Sequence, residues 1–167
     1  MWPSSLVLAH HISDYDIGVK RVLEIGCGTA LSSLLLNKQR VDITATDYHP
    51  EVEAFLTRNS ELNGDPLIPF ERTSWEDNHD NLGRFDLIIG SDLLYEDEHI
   101  GLLSNFIKSH SNPECEVIIV DPGRGRKSKL AKELLQLGYT STFSKPDNTD
   151  YLEQDFKGHI LKFARTA

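Results

Sequence analysis

The stretch Val22-Leu23-Glu24-Ile25-Gly26-Cys27-Gly28-Thr29-Ala30 most constrains what this chain can fold into. An apolar run over 21–25 ends in two glycines and turns at once into a helical pattern. That arrangement brings bare backbone N–H groups up to a ligand at the end of a parallel strand. A second alternating run over 41–46 closes on Asp47, about twenty positions past Gly28, where a carboxylate is placed to accept from ribose hydroxyls. Strand, glycine turn, helix, strand, acid is the order of a nucleoside-binding half-fold. The glycine spacing narrows it. A dinucleotide fold wants a third small residue at position 31, against the helix, but Leu31 stands there and the small Ala30 comes one position early. This speaks against a nicotinamide-dependent oxidoreductase.

The same alternation continues along the chain. Helices are predicted over 2–13, 30–37, 49–62, 98–109 and 128–137. The first is amphipathic, with Leu6, Ala9 and His10 at helical spacing and Val7 and Leu8 beside them; Leu31, Leu34 and Leu35 share one face of the second; Ile100, Leu103, Phe106 and Ile107 point inward in the fourth. Strands are predicted over 21–25, 41–46, 69–75, 85–90, 116–120, 139–144 and 158–165, with polar loops over 76–84 and 145–154. The runs at 85–90 and 116–120 are continuously apolar, as strands buried on both faces are. The pattern predicts an α/β fold: a Rossmann-like, doubly wound, seven-stranded, mostly parallel sheet with helices on both faces and an antiparallel last strand. Residues 1–167 read as one domain.

Composition excludes several classes. No apolar run approaches the roughly 18 residues needed to span a membrane. The first residues carry no basic leader pattern, so a secretory signal is not expected. Cys27 and Cys115 form neither a disulfide framework nor a zinc motif, and a cytoplasmic setting is expected. The seven histidines show no ligand spacing, so no metal is expected. A net charge of −9 disfavours nucleic-acid backbones as partners. A monomer is expected.

Glu24 lies two residues before Gly26, where a buried carboxylate is costly unless paired. It either orients the glycine loop through backbone N–H groups, reaches a ligand ammonium, or faces solvent at a strand end. Cys27 reads as a small packed residue rather than a nucleophile. Ser91-Asp92-Leu93-Leu94-Tyr95-Glu96 follows the fourth strand directly. Asp92 is either a helix N-cap above core leucines or a group in the ligand crevice. Arg124, Arg126, Lys127 and Lys129 form the one dense basic cluster. It reads as a contact for an acidic stretch of a substrate or for phosphate, or as a solvated loop.

Glu-x-Gly-x-Gly-x-Ala followed by a strand ending in Asp47 resembles the class I S-adenosylmethionine-dependent methyltransferases. Asp92-Leu93-Leu94-Tyr95 looks like the Asp-x-x-Tyr motif of the seven-β-strand protein lysine methyltransferases. Asp121-Pro122-Gly123-Arg124, the opening Trp2-Pro3 segment and Thr73-Ser74-Trp75 are similar to the branch that modifies the electron transfer flavoprotein β-subunit and to its bacterial relatives. The resemblance covers nearly the whole chain. It implies S-adenosyl-L-methionine as cofactor and a lysine of a protein as acceptor. Gly26, Cys27 and Gly28 would then line the methionine part, supported by Glu24 and covered by Trp2. Asp47 would hold the ribose, with Tyr48 and Trp75 beside the adenine, and Ser91 and Asp92 would close the site near the transferring methyl. Asp92 and Tyr95 would be the catalytic pair, Tyr95 shaping the lysine channel. The Asn-Pro-Pro-Tyr motif of adenine- and glutamine-methylating relatives is absent. The chain begins almost at the Trp-Pro segment, which implies an open site suited to a protein substrate, or a truncated chain. A small-molecule acceptor and a non-catalytic cofactor-binding protein are the alternatives.

Overall fold

The computed structural model describes residues 2–76 and 81–166. Its elements run α1 (Pro3–Ser13), β1 (Arg21–Ile25), α2 (Leu31–Lys38), β2 (Asp42–Asp47), α3 (Val52–Leu62), β3 (Phe70–Arg72), β4 (Phe85–Ser91), α4 (Glu98–Ser109), β5 (Ser111–Asp121), α5 (Lys127–Gln136), β6 (Thr140–Ser144) and β7 (His159–Arg165). The seven strands form one sheet in the order β3-β2-β1-β4-β5-β7-β6. The first five pair in parallel, and β7 runs antiparallel to both β5 and β6. This is the doubly wound, Rossmann-like sheet that the alternation predicts.

The central strands are apolar because both of their faces are covered. Leu23, Ile25, Ile88, Val117 and Ile119 face a core closed by Leu103, Phe106 and Ile107 of α4 and by Leu130 and Leu134 of α5. Val22, Leu87, Ile89, Ile118 and Val120 face the other layer, closed by Val7, Leu8 and Ile12 of α1, Leu36 of α2 and Leu56 of α3. The β4–β5 register shifts between Phe85 and Leu87. As a result Phe85 and Leu87, two apart on one strand, face opposite cores.

Two predicted helix faces are corrected. α1 buries Val7, Leu8 and Ala9 of the expected set together with Ser4 and Ile12, while His10 is exposed and Leu6 half-buried. The helix wedges between α2 and strands β4 and β5, so its buried stripe is rotated from the one that apolar spacing suggests. α2 buries Ser32, Ser33 and Leu36, leaving Leu31, Leu34 and Leu35 half-buried. A hydrogen bond to Ser33, described below, turns that face inward. β3 is shorter than predicted, since only Phe70, Glu71 and Arg72 pair with β2. β5 is longer, starting at Ser111 and tolerating Pro113 next to the register shift. The predicted polar loop over 76–84 falls partly outside the described residues, at 77–80.

Candidate active site

The strand order reverses between β1 and β4, so the C-terminal ends of these strands open into a crevice. Two cavities of about 410 and 450 Å³ meet there and share Gly26, Ser91 and Asp92. The first runs from Trp2 and Ser5 of α1 past Gly28 to Val52 and Phe55 of α3. The second runs from Asp47 and Tyr48 past Trp75 to Tyr95 and His99. Every residue singled out from the sequence as catalytic or cofactor-binding lines one or both cavities, except Glu24.

The glycine turn is a backbone construction. Gly26 (φ +58°) and Gly28 (φ +52°) lie in the left-handed region that side chains disfavour. A Cβ on Gly26 would meet the Leu93 side chain at 2.8 Å, whereas one on Gly28 would project into open space. The Cys27 N–H donates to Thr46 O (2.9 Å) and the Ala30 N–H to Cys27 O (2.7 Å). Ala30 is itself left-handed (φ +58°) and buried at the start of α2, which explains why the small residue stands at 30 and not at 31. Asp47 clasps the turn. Its Oδ2 accepts from the Gly28 N–H (2.9 Å) and its Oδ1 from the His49 N–H (2.8 Å), and each oxygen keeps further acceptor capacity.

Glu24 stands behind this turn, buried at 3% exposure. Its Oε1 accepts from the Ser33 hydroxyl (2.6 Å) and the Ser33 N–H (3.2 Å). That N–H belongs to the first turn of α2, where helix donors lack intrahelical partners. Glu24 Oε1 therefore caps α2 rather than bonding the glycine-loop amides. Burial raises its carboxyl to about 7, against the opposing pull of the two Ser33 bonds. Burial also pushes the Cys27 thiol up, as befits a packed residue.

The other side of the crevice is built from side chains. Asp92 follows β4 in a left-handed conformation (φ +53°), with its N–H donating to Val120 O of β5 (2.8 Å). It is no helix cap: α4 begins only at Glu98, with Asp97 before it. Leu93 and Leu94 plunge into the core. The Asp92 carboxylate is gripped in a fork by Arg124, Nε on Oδ1 (2.5 Å) and Nη2 on Oδ2 (2.9 Å). Asp121 at the end of β5 sets up that arginine, its Oδ2 accepting from the N–H groups of Gly123 (3.1 Å) and Arg124 (3.2 Å). Arg126 crosses the same gap to Asp97 (2.7 Å). The basic cluster is thus partly spent within the molecule. Neither the Arg124 pairing nor the part of His99 was apparent beforehand. His99 sits edge-on to both Trp75 (5.9 Å between ring centroids) and Tyr95 (5.8 Å).

The remaining predicted residues sit around the rim. Trp2 is 74% exposed at the head of α1. Ser91 Oγ lies 3.3 Å from Ser5 Oγ, tying α1 to the end of β4. Tyr48 carries the Arg72 guanidinium 5.2 Å from its ring centroid. Among the described residues no group of three or more His, Cys, Asp or Glu is arranged to hold a metal ion. Among them, too, no helix is long and apolar enough to cross a membrane.

Comparison with known proteins agrees with this fold. Protein N-lysine methyltransferase METTL21A of Danio rerio is 28% identical over 127 residues, covering 71% of this chain and 58% of that protein. The histidine protein methyltransferase 1 homolog of Dictyostelium discoideum is 32% identical over 124 residues, 69% of this chain and 40% of that protein. The chain thus spans about half the length of these relatives. Among solved structures, a methyltransferase from Pyrococcus furiosus shares the fold with a TM-score of 0.76 at 22% identity, covering 96% of this chain and 83% of that one. Magnesium protoporphyrin IX methyltransferase from Synechocystis, with bound SAM, does so with a TM-score of 0.72 at 18% identity, covering 98% and 78%. A family profile described as lysine methyltransferase matches residues 1–135, and the chain belongs to that family.

Proposed function

We propose that this chain transfers a methyl group from S-adenosylmethionine to the side-chain nitrogen of a lysine in a protein. The observation that carries this reading is the junction of the two cavities, where Gly26, Ser91 and Asp92 are shared. A ligand-binding turn and a carboxylate that suits a cation stand together there.

The residues fit the cofactor. Asp47 has two oxygens with capacity to spare, which suits a pair of neighbouring ribose hydroxyls. Tyr48 and Trp75 offer flat faces for an adenine in the same cavity. The other cavity, between Trp2, Ser5 and the open face of Gly28, suits the methionine end. Bound there, the sulfonium would supply an activated methyl carbon, which an amine attacks in line as the carbon–sulfur bond breaks and its electron pair returns to sulfur. The protein then mainly aligns nucleophile and methyl. Asp92 would hold the arriving ammonium and orient the amine once its proton has left to water. Tyr95, Trp75 and His99 would form an aromatic wall suited to a cationic methylated product. A cytoplasmic site of action accompanies this reading.

The test is to incubate cell lysate with the protein and radiolabelled S-adenosylmethionine, then locate the label by mass spectrometry. A lysine-labelled protein, lost with Asp92→Ala, is the expected result. Label on a histidine, or only in the small-molecule fraction, would replace the lysine reading.

A further inference from the structure

If Asp92 receives an ammonium, it does so in competition with Arg124. The guanidinium engages both carboxylate oxygens, one through Nε and one through Nη2. Arginine does not shed its charge, and the Asp92 contact raises its pKa further. A lysine that takes Asp92 therefore leaves a guanidinium and an ammonium beside one solvent-reached carboxylate, since the other acid that acts on Arg124, Asp121, is buried and bonds its backbone N–H rather than its guanidinium. That arrangement is costly unless a second anion arrives with the lysine.

The segment around Arg124 holds its backbone in place and leaves its side chain at the surface. Gly123 (φ +105°) and Gly125 (φ +80°) flank it in conformations that glycine favours. The backbone on either side is pinned, by Asp121 before it and by the Arg126 bonds to Asp97 and to Leu94 O after it. The Arg124 side chain is 41% exposed, so it meets solvent and incoming ligands directly. The opposite rim carries the exposed Glu96 and Glu98 on either side of Asp97, which Arg126 holds, and these two acids would repel an extended acidic segment. One acid beside the lysine satisfies Arg124 without meeting that rim.

We infer that Arg124 is a specificity-determining residue that selects lysines with an aspartate or glutamate close by. This rests on the lysine reading above. The substrate carboxylate takes the guanidinium as the ammonium takes Asp92, so the one Arg124–Asp92 pair gives way to two pairs and no charge is stranded.

A library of synthetic peptides with a central lysine and randomised neighbours tests this with the full chain and S-adenosylmethionine. The methylated members are sequenced by mass spectrometry. Matched peptides differing only as Asp or Asn beside the lysine then give kcat/KM. The wild type should favour the Asp peptide by about tenfold, the scale of one charge-assisted fork. Arg124→Gln should flatten the ratio to about twofold or less, chiefly by gaining on the Asn peptide. Arg124→Lys, a point charge without the fork, should fall between. Equal rates on both peptides with the wild type, or a preference that survives Arg124→Gln, overturn the inference and leave the lysine reading standing. No methylated lysine from a wild type that binds cofactor in calorimetry overturns both.

Discussion

The two halves of the crevice are made in different ways. On the β1–β2 side the crevice is shaped by backbone, the left-handed glycines and the Asp47 clasp on the Gly28 and His49 amides, with Glu24 buried behind them. On the β4–β5 side it is lined by side chains: the half-buried Asp92, paired with the exposed Arg124 from 32 positions away, and the exposed Tyr95. A backbone cradle has one shape and suits a ligand that never varies. A surface of exchangeable ion pairs is easily retuned and suits an acceptor that differs from one relative to the next.

The sharpest way to break this division is Asp92→Ala. It should lower kcat/KM for methyl transfer by about 100-fold or more while cofactor affinity by calorimetry stays within about threefold. An equal loss of cofactor binding would mean that the halves are not separate. Asp47→Ala is the converse. It removes the acceptor for the Gly28 and His49 amides and should weaken cofactor binding by about 30-fold to 100-fold. An unchanged Kd would remove Asp47 from the cofactor side.

Glu24 probes the scaffold behind the cradle. Its carboxyl is raised from 4.5 to about 7 by burial, so the folded chain binds that proton more tightly than the unfolded chain does. The stabilisation it confers is complete below pH 4.5 and is lost as pH rises through 7. Glu24→Gln should therefore gain on the wild type between pH 4.5 and 8, by on the order of 2–3 kcal/mol in urea unfolding. A difference that does not vary with pH would refute the assignment. Ser5→Ala, which removes the hydroxyl contact to Ser91, should have the smallest effect: stability down by less than about 1 kcal/mol and cofactor affinity altered about twofold.

Much of the β1–β2 side was legible because it is local. The strand at Arg21–Ile25 and the helix at Glu98–Ser109 follow directly from apolar periodicity, and the acid after β2 lies one unit past the glycine turn. The faces of α1 and α2 were not legible. Periodicity reports only apolar spacing, while Ser33 turns inward for a hydrogen bond to Glu24. Arg124 was visible as a cation but not as the partner of Asp92, because nothing local links residues 32 positions apart.

By itself, then, the sequence determined the order of strands and helices, the glycine turn and the acid that follows it. These depend on backbone conformation and on side-chain periods within a few residues. Only the tertiary structure decided that the ends of β1 and β4 share one crevice, that Glu24 caps α2, and that Arg124 fills the carboxylate of Asp92. The crevice and the Arg124 pairing depend on parallel pairing between distant segments, and Glu24 meets Ser33 only because the turn after β1 folds α2 back against it; side chains that meet in these ways carry no mark of their partners in the linear chain.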